Sequence, residues 1–299
     1  MSRTRDLVAD LRRRLGASEP MAPAPEVPAI PAPPLRVYPV EPQRGHAADQ
    51  AARHTTALVG IGHVGTRYAT DVVLQFQAEL AVAHEAVAAE LPEGWGAGHE
   101  LLELRSRCTD HREFLLRPDL GRRLDDDSVA RLRERGRRDV DVQIILADGL
   151  SARACVGTGV QLVKLLSAEC TRRGWSVGVP VCAKFARVWL EDEIGEEVNA
   201  RVAVIILGER PGLGTGDGLS AYLVHEPRIG KTDGDRNMIS NIHERGTVPE
   251  QAASRLAQLI GAMLAQRTSG VDLDINQLGD AVETGYRAPQ VRQRLVEVE

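Results

Sequence analysis

Cysteine is scarce in this chain of 299 residues: Cys108, Cys155, Cys170 and Cys182 are all there are. No two of them are closely paired, so the sequence offers neither a Cys-x-x-Cys redox motif nor half of a zinc site. With no secretory signal in front of them, they read as reduced thiols in a cytoplasm. Unbroken apolar runs of bilayer length are also missing, which excludes a membrane span. Positive charge is not in excess: 37 Lys and Arg stand against 42 Asp and Glu, a net charge of -5. The overall field therefore gives no reason to expect a nucleic acid or an anionic membrane as a partner. Three catalytic signatures are absent as well, namely the G-x-S-x-G elbow, the H-E-x-x-H helix and the G-x-G-x-x-G dinucleotide loop. Cys108 with His111 supplies two candidate ligands, fewer than a zinc site needs. No independent catalytic centre can be read from the residues, and no internal repeat is visible.

What is present has a clear layout. The apolar share of 43% is ordinary for a packed globular protein. Residues 1–18 begin with an amphipathic helix: Leu7, Leu11 and Leu15 recur at helical spacing beside Val8, among Arg3, Arg5, Arg12, Arg13 and Arg14. Gly16 ends it. Nine of the 16 prolines then fall between Pro20 and Pro42, so 19–50 reads as an extended, disordered tether. Residues 51–125 read as mainly helical, with Val73, Phe76, Leu80, Ala83, Val87 and Leu91 on one face after an N-cap at Thr70 and Asp71. From 126 to 299 the texture is α/β. Val142–Leu146, Val177–Val181, Phe185–Leu190, Val202–Leu207 and Leu219–Val224 read as strands. A helical stripe of Val156, Val160, Val163, Leu166 and Cys170 separates them, closed by Arg172, Arg173 and Gly174. The fold class expected is a doubly wound, largely parallel sheet behind a helical amino-terminal region. A capping box at Thr247-Val248-Pro249-Glu250 opens a last helix through Ala253, Leu256, Ile260 and Leu264.

Ligands of open α/β sheets sit beyond the carboxyl ends of the strands, and two loops fit that position. Asp148-Gly149-Leu150-Ser151 offers a carboxylate at a strand end, a glycine open to close backbone approach and a serine placed to cap the next helix. It reads equally as an ordinary strand-to-helix turn. The segment from Gly208 to Gly218 carries five glycines with Glu209 and Arg210 at the strand exit. A strand rather than a helix follows it, which argues against a phosphate cradle and for a bulky, flat, amide-fringed ligand against bare backbone. A surface loop rich in glycine is the plainer alternative. His225 to Gly246 gathers Asp233, Asp235, Arg236, Asn237, Asn241 and His243, either as a solvated loop or as a binding loop.

Three blocks in order carry a family resemblance: Arg117-Pro118-Asp119-Leu120-Gly121-Arg122-Arg123-Leu124, then Ala147-Asp148-Gly149-Leu150-Ser151-Ala152, then Gly208-Glu209-Arg210-Pro211-Gly212-Leu213-Gly214 through Ile239-Ser240-Asn241-Ile242-His243. From about Ala57 to Leu273 the chain resembles the small (light) subunit of ethanolamine ammonia-lyase, an adenosylcobalamin-dependent enzyme. The resemblance implies a hetero-oligomer in which a large catalytic barrel subunit holds the substrate and the small subunit covers the cobalamin at their interface. It implies conversion of ethanolamine, or a related vicinal amino alcohol, to an aldehyde and ammonia, started by a radical from the broken cobalt-carbon bond. By similarity the cofactor contacts fall at Val188, Glu209 and Met238, with no catalytic or metal-binding residue on this chain. Relatives commonly carry cysteine at Met238, where a thioether is larger and cannot donate a hydrogen bond.

The amino-terminal half departs further. Family members read Gly-Arg-Ala-Gly where this chain has Gly62-His63-Val64-Gly65. They read Asp-His-Ala-x-Ala-Arg-Asp-Ala-Val where it has Glu79-Leu80-Ala81-Val82-Ala83-His84-Glu85-Ala86-Val87. Such changes point to a co-diverged large subunit, another amino alcohol, or a relative that only binds. Small subunits of the family can carry a helix and tether like 1–50 as an address to the lumen of a bacterial microcompartment, which would make shell proteins partners. A basic tail without that role is the other reading. A different class of function, a scaffold docking on a shell or partner without cofactor, stays open from the sequence.

Overall fold

The long apolar runs become the inner strands of one six-stranded sheet. The computed structural model describes residues 63–212, 217–244 and 246–275, together with 50, 51 and 54. The amphipathic helix expected in 1–18 and the prolines from Pro20 to Pro42 lie outside the described residues. Two short strands, β1 (His63–Val64) and β2 (Arg67–Tyr68), form an antiparallel hairpin ahead of helix α1 (Thr70–Ala88). The main strands are β3 (Leu102–Arg105), β4 (Val142–Ala147), β5 (Val181–Lys184), β6 (Val202–Gly208), β7 (Leu219–His225) and β8 (Arg236–Ile242), in the spatial order β3-β5-β4-β6-β7-β8. The first four in that order run parallel, and β7 and β8 add antiparallel to their neighbours. Every residue of β4 and β6 is buried, as expected of parallel strands covered on both faces.

Helix α2 (His111–Leu116) follows β3, and α3 (Asp126–Arg135) and α5 (Leu190–Glu197) cover one face of the sheet; α4 (Val160–Arg172) and α6 (Pro249–Gln266) cover the other. On the first face Leu132, Leu190 and Ile194 pack against Ile145, Ile205 and Leu207. On the second, Leu162, Leu166, Leu256 and Ile260 pack against Ile144, Val204 and Leu223. The chain is thus α/β with a mixed, mostly parallel sheet between helical layers, in agreement with the fold class read from the sequence.

Several local expectations change. β3 lies within the stretch read as helical; four residues alternating Leu-Glu-Leu-Arg are too short a pattern to stand out until β5 pairs with them. Val177 forms only an isolated bridge with Val142, and the strand starts at Val181. Phe185 takes φ of 57°, in the left-handed region that a bulky side chain rarely enters, so the chain turns there and the strand read over Phe185–Leu190 does not form. Val156 leaves the buried stripe at 52% exposure because a π-turn at Cys155–Gly159 shifts the helical register ahead of α4. Val248, not Thr247, is the N-cap of α6 and no capping box forms; Thr247 is tied by its backbone to Asn241 and His243 instead. Ala69 is likewise the N-cap of α1, a helix that buries Ala83 and Ala86 while Val73 and Leu80 stay exposed. The polar segment 225–246 contains β8, an edge strand whose alternate residues face solvent. All four cysteines are free and buried.

Candidate cofactor cleft

Three loops meet at the carboxyl ends of β4, β5 and β6, where an open α/β sheet places its ligands. Asp148, at the end of β4, is 4% exposed and does not project into the opening. Its Oδ2 accepts from the amide of Phe185 at 2.7 Å and its Oδ1 from that of Ala186 at 3.2 Å. Burial pushes the carboxyl up to about 6, against the pull of those amides, the Gly149 amide and Lys184. Asp148 therefore holds the strained turn at Phe185, a use of left-handed backbone typical of sites whose geometry is imposed by their surroundings.

The second contact is backbone on backbone. The amide of Leu150 donates to the Gly208 carbonyl at 2.9 Å. A Cβ on Gly149, whose φ is +54°, would press on the Gly208 backbone, and one on Gly208 would press on the carbonyls of Asp148 and Ser151. Glycine at both positions lets the two strand ends cross without a side chain between them. Ser151 occupies the N-cap position of Ala152–Ala154 but makes no side-chain cap bond.

Beside this crossing, the sheet itself forms the floor. Leu207 stands opposite Ser220, and Tyr222 opposite Met238, so all four side chains share one face of the antiparallel part. Ser220 Oγ donates to Glu209 Oε1, and the Asn241 amide reaches the same oxygen at 3.5 Å. Burial and nearby Glu209 raise the Tyr222 hydroxyl above its ordinary range. The result is a cleft of ≈ 390 Å³ whose walls include Val188, Glu209 and Met238, together with Phe114, Arg187 and Tyr222. Val188 is placed by the turn after β5, Glu209 by the end of β6, and Met238, 49% exposed, by the edge strand.

A family model, the ethanolamine ammonia-lyase light chain (EutC), matches residues 46–274, close to the span over which the motifs resemble it. The chain belongs to that family. Membership makes it the light subunit of ethanolamine ammonia-lyase, a lyase, and implies a hetero-oligomer with a large subunit. The departures from the light-chain pattern at Val64 and Leu80 are solvent-facing, at 59% and 49% exposure, in the hairpin and α1. Among the described residues no helix of this light chain is long and apolar enough to cross a membrane.

Sequence reasoning missed Phe114, Ser220 and Tyr222 as walls of the cleft. Ser220 and Tyr222 carried a usable signal, because residues two apart on a strand share a face. Phe114 carried none; it arrives through stacking on Phe185, ring centres 6.0 Å apart. Much of the polar crowd of 225–246 is engaged internally instead. Asp233 accepts from Trp189 Nε1 at 2.6 Å, Asp235 closes a capping box with Thr232, Asn237 pairs with Gly270, and His243, buried, contacts Asn241 Oδ1 at 2.6 Å.

Proposed function

We propose that this light subunit binds and shields adenosylcobalamin at its interface with the large subunit, which carries the catalytic residues. One observation carries the reading: Val188, Glu209 and Met238, from three separate stretches of chain, line the same cleft. The residues fit such a group. The floor is mostly apolar, a corrin's flat macrocycle can lie against the bare backbone of Gly149 and Gly208, and Glu209 is an acceptor for its amide hydrogens. A one-chain cleft of ≈ 390 Å³ takes only part of a corrinoid, in keeping with a ligand shared between two polypeptides.

The cofactor supplies the radical that removes a substrate hydrogen; the substrate is ethanolamine or a related vicinal amino alcohol. Phe114, Leu207 and Met238 exclude water from the near side, where water would divert a reactive intermediate. Met238, a thioether, packs on the ligand and offers it no proton. The exposed apolar side chains Val64, Leu74, Leu80 and Val82 provide a contact for the large subunit. Residues 1–18 and the tether to residue 50 address the assembly to the lumen of a microcompartment; a fluorescent protein fused to 1–20 should then concentrate in co-expressed shells, and diffuse signal overturns the address.

The test is corrinoid absorbance retained through purification of the co-expressed pair. Retention that falls when Glu209 is changed to Ala supports the reading. A large subunit that holds the corrinoid equally tightly after this chain is stripped away overturns it. A second class of function, a scaffold without cofactor, predicts no corrinoid in the pair at all.

A further inference from the structure

Arg117-Pro118-Asp119-Leu120-Gly121-Arg122-Arg123 is the sequence block that the corrin floor leaves unexplained. Its glycine is needed for what it lies against. The Gly121 carbonyl accepts from the Arg187 amide at 2.8 Å, and a Cβ there would sit 2.7 Å from Arg187 Cγ. The block therefore lets the Arg187 side chain pass at the rim of the cleft. Arg187 then stacks over Phe114 at 4.1 Å from the ring centre and donates through one terminal nitrogen to the Phe114 carbonyl at 2.7 Å. Its Nε is buried with no partner.

Two more cations flank it. Arg122 lies over the Trp189 ring at 4.3 Å, and Arg210, exposed, lines the cleft with Arg187. Burial lowers the proton affinity of Arg187, and Arg122 and Arg210 lower it further, as expected of like charges held close. Of the carboxylates nearby, Asp148 is turned to two backbone amides and Glu209 accepts from Ser220 through one oxygen, leaving its other oxygen to the cleft. Among the described residues none of the three arginines makes an ion pair, whereas the buried Arg236 has two carboxylates of its own. Cations gathered without a direct ion pair cost stability unless an anion completes them, and a guanidinium fork with an unpartnered N–H matches a tetrahedral oxyanion.

We infer that Arg187, flanked by Arg210 and Arg122, is a seat for a phosphodiester, and that the phosphate of the corrinoid's nucleotide loop is the group it takes. This rests on the cobalamin reading above and divides the cleft in two: the floor receives the macrocycle and the arginine rim receives the tail. Specificity for complete corrinoids over truncated ones resides at that rim.

The experiment measures equilibrium binding of cyanocobalamin, which has the phosphodiester, and dicyanocobinamide, which lacks it, to the purified complex with the large subunit. Arg187→Gln and Arg210→Gln are compared with the unaltered complex; Arg210 is exposed and makes no side-chain bond among the described residues, so its variant tests the rim without risk to the fold. Each variant is expected to weaken cyanocobalamin by about tenfold or more, the scale of a charge-assisted hydrogen bond, and to leave dicyanocobinamide unchanged. Inorganic phosphate should compete with cyanocobalamin alone. Equal loss for both corrinoids, or no loss for either, overturns the phosphate seat while the cobalamin reading stands. A complex that binds neither corrinoid more tightly than the large subunit alone brings down both.

Discussion

One buried arginine and a group of three others are treated in opposite ways in this molecule. Arg236, at the start of β8, is buried and closed on two sides: to Glu191 at 2.6 Å and to Asp192 at 2.6 Å, both in the first turn of α5. Arg187 and Arg210 line the cleft and Arg122 lies close by over Trp189; Arg187 has the Phe114 ring and carbonyl, and among the described residues none of the three forms an ion pair. The first ties the edge strand to the helix that follows Val188. In the second, Arg187 Nε has no partner among the described residues, and the proposed phosphate seat uses it. Charge alone does not mark a candidate binding site; charge that forms no ion pair is the stronger pointer.

The comparison can be broken most forcefully at its closed end. Arg236→Met leaves the buried Glu191 and Asp192 carboxyl groups without their charged donor and should destabilise the fold by about 3–5 kcal/mol in urea unfolding. A loss below 1 kcal/mol would mean that the clasp is not structural. Next in size, Asp148→Asn keeps one acceptor where two amides, Phe185 and Ala186, need one each, and should cost about 1–3 kcal/mol. It should also weaken corrinoid retention, because the turn that presents Arg187 and Val188 is released.

A subtler difference lies in pH. Burial, opposed by Arg236, raises the Glu191 carboxyl to about 8. A folded-state value above the unfolded one means that proton binding favours the fold, fully so below pH 4.5, and that this contribution is lost as pH rises to about 8. Asp148 acts in the same direction only up to about 6, and His225, whose pKa burial lowers, acts in the opposite direction only below 6.5. Glu191→Gln should therefore flatten the fall of Tm between about pH 6.5 and 8 while Asp192 keeps Arg236 paired; an unchanged slope would sink that assignment. Smallest of all, Arg210→Gln should alter stability by less than about 0.5 kcal/mol, as at an ordinary surface position, which separates its effect on corrinoid binding from any effect on folding.

Much of the architecture was legible from the sequence because burial writes itself into composition. Val202–Leu207 is a continuous apolar run, Val142–Leu146 and Leu219–Val224 are apolar but for Gln143 and Ser220, and each is an inner strand within a residue of where the pattern placed it. α6 buries Ala253, Leu256, Ile260 and Leu264 as its periodicity requires. Legibility failed where pairing rather than composition decides. β3 is a strand because β5 binds it, and β8 is a strand because β7 does, even though its sequence is polar enough to pass for a loop. Phe185 ends its strand through a backbone angle that its residue type disfavours and that only the Asp148 carboxylate, 37 positions away, supports.

The sequence by itself determined the kind of chain this is: an α/β light subunit of the ethanolamine ammonia-lyase family, with its apolar strands and the order of its motif blocks. Only the tertiary structure decided that Val188, Glu209 and Met238 share one cleft, that Gly149 and Gly208 cross bare, and that Arg187 stands without an acid partner. The reason is physical. Hydrophobic periodicity is local and survives in a string of letters, whereas the neutralisation of a charge depends on which distant groups the sheet register brings within a few ångströms.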